Sequence, residues 1–199
     1  MVFAKAPTPG RVKTRLAAVL GDDAAAALHR QFTERTLRTA QAAALGQVEL
    51  CCSPGTNDAF FAACANKFGV GLRAQGNGDL GARMARALEF ALAQGSPGLL
   101  IGSDCPALTP QYLREAAAAL ASANDAVFGP AEDGGYVLVG LARGPAAPLF
   151  EGIAWGSATV MQETRQRLAR LNWRWRELAT LWDVDRPEDL SRLARLRAE

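Results

Sequence analysis

The chain is poor in the residues that make metal–thiolate centres and nucleophilic triads. It has one histidine, His29, and its four cysteines, Cys51, Cys52, Cys64 and Cys105, form no C-x-x-C pair. A zinc site of Cys and His is therefore not expected. One imidazole also leaves Ser-His-Asp or Cys-His chemistry without a base unless His29 serves, and no G-x-S-x-G elbow occurs. His29 lies in a stretch rich in Ala, Leu and Arg and reads as a helix-surface residue. No apolar run is long enough to cross a bilayer, and residues 1–7 carry no signal-like apolar core. No membrane span is expected, and the chain is expected to be cytoplasmic. The net charge of +2 is too small to argue for a nucleic-acid partner.

What remains is an ordinary globular composition, 49% hydrophobic and 21% charged over 199 residues. No repeat or linker interrupts it, so residues 1–199 read as a single domain. Short apolar runs at 1–4, 48–52, 70–74, 99–102, 125–129 and 136–141 read as strands. Helical patterns occupy 12–20, 24–44, 58–67, 80–93, 110–121, 159–171 and 187–197. Such alternation predicts an α/β three-layer sandwich, Rossmann-like, with a mostly parallel sheet. The connection Glu132–Gly135 is too short for a parallel crossover, so the sheet should be mixed there. Cys51 and Cys52 share a strand and should face opposite sides as small core residues.

Chemistry concentrates where strands end. Leu99-Leu100-Ile101-Gly102-Ser103-Asp104-Cys105-Pro106 is a buried strand that stops abruptly, with Thr109-Pro110 opening a helix. Asp104 would stand at the carboxyl edge of the sheet, where open α/β sheets bind ligands. It either closes a turn or holds a divalent cation against phosphate. Residues 5–15 follow the first strand and carry four cations, Lys5, Arg11, Lys13 and Arg15, beside Gly10. They form either a solvated basic turn or a phosphate cradle at a helix N-terminus. Lys13-Thr14 lacks the Walker A spacing, and Pro7 and Pro9 remove amides, so a P-loop NTPase is excluded.

Three more segments add groups. In residues 75–84, Gln75 could read a base or sugar edge and Arg83 could meet a phosphate. Glycines 76, 78 and 81 permit close approach, although a helix capped by Asp79 explains the run almost as well. In Gly129–Tyr136, Asp133 is a candidate base within a hairpin turn, and Tyr136 could pack on a ring. In Trp182–Leu190, Asp183 and Asp185 alternate along an extended backbone; a cap for the helix at Pro187 accounts for Asp185 better than for Asp183. Trp155, Trp173, Trp175 and Trp182 read as core first, or else as an acceptor-site wall or a homodimer surface.

These segments, in this order, resemble the nucleotide-diphospho-sugar transferase superfamily with its GT-A fold, and within it a family of small bacterial GT-A-like glycosyltransferase relatives. The matching stretches are Phe3-Ala-Lys-Ala-Pro-x-Pro-Gly-Arg-Val-Lys-Thr-Arg-Leu16, Gln75-x-x-Gly-Asp-Leu-Gly-x-Arg-Met84, Gly102-Ser-Asp-Cys-Pro-Ala-Leu108, Gly129-Pro-Ala-Glu-Asp-Gly-Gly-Tyr136, Leu149-Phe-Glu-Gly-Ile-x-Trp155 and Asp183-Val-Asp-x-Pro-Glu-Asp-Leu190. The resemblance implies a nucleotide or nucleotide-sugar donor at Lys5, Gly10, Arg11, Lys13 and Arg15, joined by Gln75 and Arg83, and Mg²⁺ or Mn²⁺ at Asp104. Asp104 is followed by Cys105 and Pro106 rather than by the second acid of D-x-D, so Asp183 or Asp185 must complete the metal site. Pro7 and Pro9 stand where nucleotidyltransferases carry glycines, while Lys-Thr-Arg-Leu resembles the guanylyltransferase that acts on phospholactate. The expected function is glycosyl transfer to a small-molecule acceptor, with Asp133 as base and Lys13 neutralising the diphosphate. The alternatives are nucleotidyl transfer to a sugar phosphate or phospho-acid, or a catalytically silent nucleotide-binding protein.

Overall fold

A computed structural model describes residues 1–196. Seven strands form one sheet in the order β3-β2-β1-β4-β6-β5-β7. They are β1 (Val2–Lys5), β2 (Glu49–Ser53), β3 (Gly71–Ala74), β4 (Gly98–Gly102), β5 (Ala126–Pro130), β6 (Tyr136–Leu141) and β7 (Trp175–Glu177). Every pairing is parallel except those of β6, which runs antiparallel to both β4 and β5. The short Glu132–Gly135 connection enforces this reversal, as its length predicts.

Successive strand residues feed two different cores. Val2, Leu50, Cys52, Ile101, Val127 and Leu138 pack under α2 (Asp22–Ala43), α3 (Ala59–Phe68) and α5 (Pro110–Ala121). Phe3, Cys51, Leu100, Phe128 and Val139 pack under α4 (Leu80–Ala93), α6 (Ala147–Phe150) and α7 (Val160–Arg170). Burial on both faces explains why the strands read as continuous apolar runs. Cys51 and Cys52 do face opposite layers, and burial pushes their thiols up to about 11 and about 12. Trp173 and Trp182 are buried, as expected of core residues, while Trp155 and Trp175 are half-buried against their cluster.

A third, smaller core lies beyond the carboxyl ends of the strands. Leu16 of α1 (Thr14–Leu20), Leu28 and Phe32 of α2, Trp182, Val184, and Leu193 of α8 (Asp189–Leu196) meet there. It ties the loop after β1 to the segment after β7. Two short elements, α6 and β7, carry too few residues for a periodic signal and were not expected from the sequence. The expected end of the last helix at Arg197 lies outside the described residues.

Candidate functional site

The sheet order grows in opposite directions on either side of β1 and β4, which creates a crevice at their carboxyl ends. A cleft of about 650 Å³ opens there. The end of β1 supplies Lys5, the loop after it Arg11 and Lys13, the first turn of α1 Arg15, the start of α4 Asp79 and Arg83, and the segment just past β4 Asp104. Gln75, His29 and Asp185 complete the wall. A second cavity of about 700 Å³ shares Lys5 and Arg11 and continues past Ser53–Gly55 to Asp58.

Lys13 is the centre of this arrangement. Its backbone takes the left-handed conformation (φ 50°) where α1 begins, a conformation rare outside glycine and asparagine. Its side chain is only 3% exposed. The ammonium sits 2.9 Å from Asp104 Oδ1 and donates to the Val184 carbonyl at 2.5 Å. Val184 N–H in turn donates to the Asp104 carbonyl at 3.0 Å. Lys13 therefore clamps three distant segments rather than standing free in the cleft. Lys5 and Arg11 carry no side-chain partner among the described residues, and both are exposed.

Asp104 is 42% exposed at its side chain, yet its Oδ1 is buried. Burial opposes the ionised form, but Lys13 and then His29 outweigh it and hold the carboxyl well below the usual carboxylate range. Asp183 shifts the other way: burial first, then the negative charges of Asp133 and Asp104, push it up to about 6. Asp104, Asp133 and Asp183 thus share one electrostatic neighbourhood, in which Lys13 only partly offsets the rise at Asp183.

The remaining expected residues divide. Arg83 lines the cleft and is oriented by the Gly78 carbonyl (3.0 Å) and Ser53 Oγ (3.4 Å). Gln75 lines it too, but it is buried and its Nε2 donates to the Ala4 and Cys51 carbonyls, so that amide nitrogen is spent on the sheet edge. Asp185 pairs with Arg15 at the cleft rim. It does not cap the last helix: Asp189 accepts from the Asp185 and Arg186 amides instead, because it stands at the first turn of α8. Gly10 lies against Asp22 outside the cleft wall. Asp133 is exposed, with Oδ1 accepting from Gly135 N–H at 2.8 Å. Asp79 and Thr109 cap α4 and α5 as read.

His29 is a correction. It is 4% exposed and faces the cleft, not solvent. The signal was present in the sequence: Ala25, Leu28, Phe32, Thr33 and Thr36 recur at helical spacing, and position 29 falls on that face.

No set of three His, Cys, Asp or Glu side chains suited to a metal occurs among the described residues. Two carboxylates, Asp104 and Asp183, do suit Mg²⁺ or Mn²⁺ when phosphate oxygens and water fill the other positions. Burial, and then the neighbouring negative charges that raise Asp183, fit a cation there.

Residues 36–157 match a bacterial family described as an uncharacterized protein conserved in bacteria, DUF2064. No curated protein matches the chain. A candidate nucleotide-diphospho-sugar transferase from Desulfovibrio desulfuricans G20 is 35% identical with a TM-score of 0.86, the match covering 98% of this chain and 85% of that one. Two further solved structures share the fold. One is 4-diphosphocytidyl-2C-methyl-D-erythritol synthase from Anaerococcus prevotii DSM 20548 (12% identity, TM-score 0.66, 100% and 97% covered). The other is glucosyl-3-phosphoglycerate synthase from Mycobacterium tuberculosis with Mn²⁺ and UDP (13% identity, TM-score 0.53, 98% and 75% covered). The chain belongs to the DUF2064 family, a GT-A-like branch of the nucleotide-diphospho-sugar transferases.

Proposed function

We propose that this chain is a nucleotide-using transferase whose donor is a nucleotide-sugar and whose acceptor is a small hydroxyl compound. One observation carries the reading. Two unpartnered cations, Lys5 and Arg11, and an oriented Arg83 converge with an ionised Asp104 on one cleft at the sheet's switch edge. Arg presents a planar fork suited to phosphate oxygens, and Lys a point charge. A diphosphate therefore lies across Lys5, Arg11 and Arg83, and the adjoining cavity beside Ser53 and Asp58 has room for the nucleoside.

Transfer then requires the acceptor oxygen to attack the anomeric carbon while the carbon–oxygen bond to the diphosphate breaks. The acceptor proton passes to Asp133, whose exposed carboxylate keeps one oxygen beyond its bond to Gly135 N–H. Arg11 and Lys5 neutralise the departing nucleoside diphosphate. Lys13 acts through its grip on Asp104 and Val184. A Mg²⁺ or Mn²⁺ ion at Asp104 and Asp183 supplies further charge neutralisation on the phosphates when bound.

The test is a melting-temperature panel of nucleoside diphosphates, triphosphates and nucleotide-sugars with and without Mn²⁺. A Mn²⁺-dependent rise with one nucleoside diphosphate and its sugar conjugate is expected, and it should be lost in Asp104→Asn. No shift with any nucleotide would sink the proposal. Pyrophosphate release from a triphosphate would replace it with nucleotidyl transfer.

A further inference from the structure

Arg83 and Arg86 stand one turn apart on the same face of α4. Arg83 lines the cleft, whereas Arg86 turns back over the loop between β3 and α4. That loop is fastened at both ends. Gln75 N–H donates to the Cys52 carbonyl at 2.9 Å, and Asp79 Oδ1 accepts from Ala82 N–H at 2.8 Å. Between these anchors Gly76 and Gly78 take left-handed backbone, with φ +79° and +100°. Glycine loses more freedom on ordering than any other residue, so such a stretch needs side chains to hold one shape. Arg86 Nη1 donates to the Gln75 carbonyl at 2.6 Å, and Nη2 to the Asn77 carbonyl at 3.1 Å. One guanidinium fork thus spans the two carbonyls that flank Gly76. Gly76 makes room for it, since an added Cβ there would stand 2.6 Å from Arg86 Nη1. The next carbonyl, that of Gly78, accepts from Arg83 Nε at 3.0 Å.

We propose that Arg86 is a positioning residue of the cleft. By holding the Gln75 and Asn77 carbonyls it fixes the loop in one shape, and through the Gly78 carbonyl that shape aims Arg83 at the donor's diphosphate. Arg83 puts Nε on the loop and Nη1 on Ser53 Oγ (3.4 Å), which leaves Nη2 to a ligand. A loop ordered before the ligand arrives adds no ordering cost to binding. Lysine at position 86 would keep the charge, but its single ammonium cannot span both carbonyls as the planar fork does. The brace stands on geometry, while its consequence for the donor rests on the transferase reading above.

Two measurements test this. Backbone ¹⁵N relaxation reads the loop itself. Order parameters at Gly76, Asn77 and Gly78 should be about 0.85 in the wild type and below about 0.6 in Arg86→Met, which keeps the apolar stem and loses the fork. Gly76→Ala, which pushes the guanidinium away from the loop side, should break the same bonds and weaken nucleotide binding without touching Arg86. Titration of UDP, GDP, CDP and ADP with Mn²⁺ reads the consequence. For the nucleotide that binds, Kd should rise about 10-fold in Arg86→Met, but less than about 2-fold when the same change is made in Arg83→Ala, because the brace acts through Arg83. Arg86→Lys should fall between wild type and Arg86→Met. Melting temperatures accompany each variant; a purely structural role would cost the same affinity in both backgrounds. A loop as ordered in Arg86→Met as in the wild type, an unchanged Kd, or equal losses in the two backgrounds would overturn the proposal. A loop that loosens in a protein whose wild type binds none of the four nucleotides would uphold the brace and fell the transferase reading. Should Arg86→Met fail to fold, Arg86→Lys carries both measurements, with smaller changes in the same directions.

Discussion

Asp183 and Asp104 are two carboxylates with opposite fates. Asp104 is held ionised by Lys13 and His29, whereas burial and its acidic neighbours push Asp183 up to about 6. A carboxyl whose folded pKa lies above its unfolded one penalises the fold when ionised. In metal-free buffer the penalty is full above about pH 6 and fades as pH falls towards the ordinary value of 3.8. Asp183→Asn should therefore be more stable than wild type by about 1–3 kcal/mol at pH 8, after allowing for partial exposure, and equal to it near pH 4. Denaturant curves at the two pH values check this. Asp104→Asn should do the reverse, costing about 1–3 kcal/mol at neutral pH because Lys13 stays buried without its charge partner. Lys5→Ala and Arg11→Ala should leave stability within about 0.5 kcal/mol, since neither side chain has a partner among the described residues, while weakening nucleotide binding. At this scale the sequence was legible for charges at strand ends. It was not legible for Lys13 or Gln75, whose polar atoms are consumed by backbone carbonyls 171 and 24 residues away along the chain.

Elements meet around the site through close backbone approach. Gly81 lies in α4, where alanine is ordinarily favoured by about 1 kcal/mol. Here an added Cβ would stand 2.7 Å from the Phe150 carbonyl and 2.9 Å from the Trp155 ring. Gly81→Ala should therefore destabilise by about 1–3 kcal/mol, because overpacking outweighs propensity. Gly134 is tighter still: at φ +90° its Cβ would be 2.1 Å from the Ala158 carbonyl. The segment preceding α7 thus seats directly on the β5–β6 turn. Chemical denaturation of Gly81→Ala settles the sign. Most element boundaries were readable because strands buried on both faces and helices with one apolar stripe carry clear periods. The exceptions carry weak periods: β7 is a half-buried edge of three residues, and α6 is a single turn.

For the whole molecule, the third core decides whether a site exists. Leu16, Phe32, Trp182 and Val184 bring the loop after β1 against the segment after β7, and Arg192 adds a cation–π contact on Trp182 (4.3 Å) and a pair with Glu132. No local pattern announces a contact between residues 13 and 184, which is why the sequence supplied the groups but not their partnership. Because that contact forms only in the folded chain, a nucleotide at 100 times its Kd should add about 2.7 kcal/mol to global stability. For a chain of this size the melting temperature should rise by about 5–10 °C.

The four cysteines lie deep in these same layers, none more than 5% exposed. Burial also pushes each thiol up, to about 11 or 12. The reactive species is the thiolate, so an alkylating reagent at neutral pH finds almost nothing to attack until the chain opens. Each sulfur therefore keeps time for the layer that covers it. Cys51 and Cys52, on β2 between two paired strands, record complete unfolding. Cys105, next to Asp104, records the loosening of the cleft wall, and its labelling should slow more than theirs when nucleotide is bound.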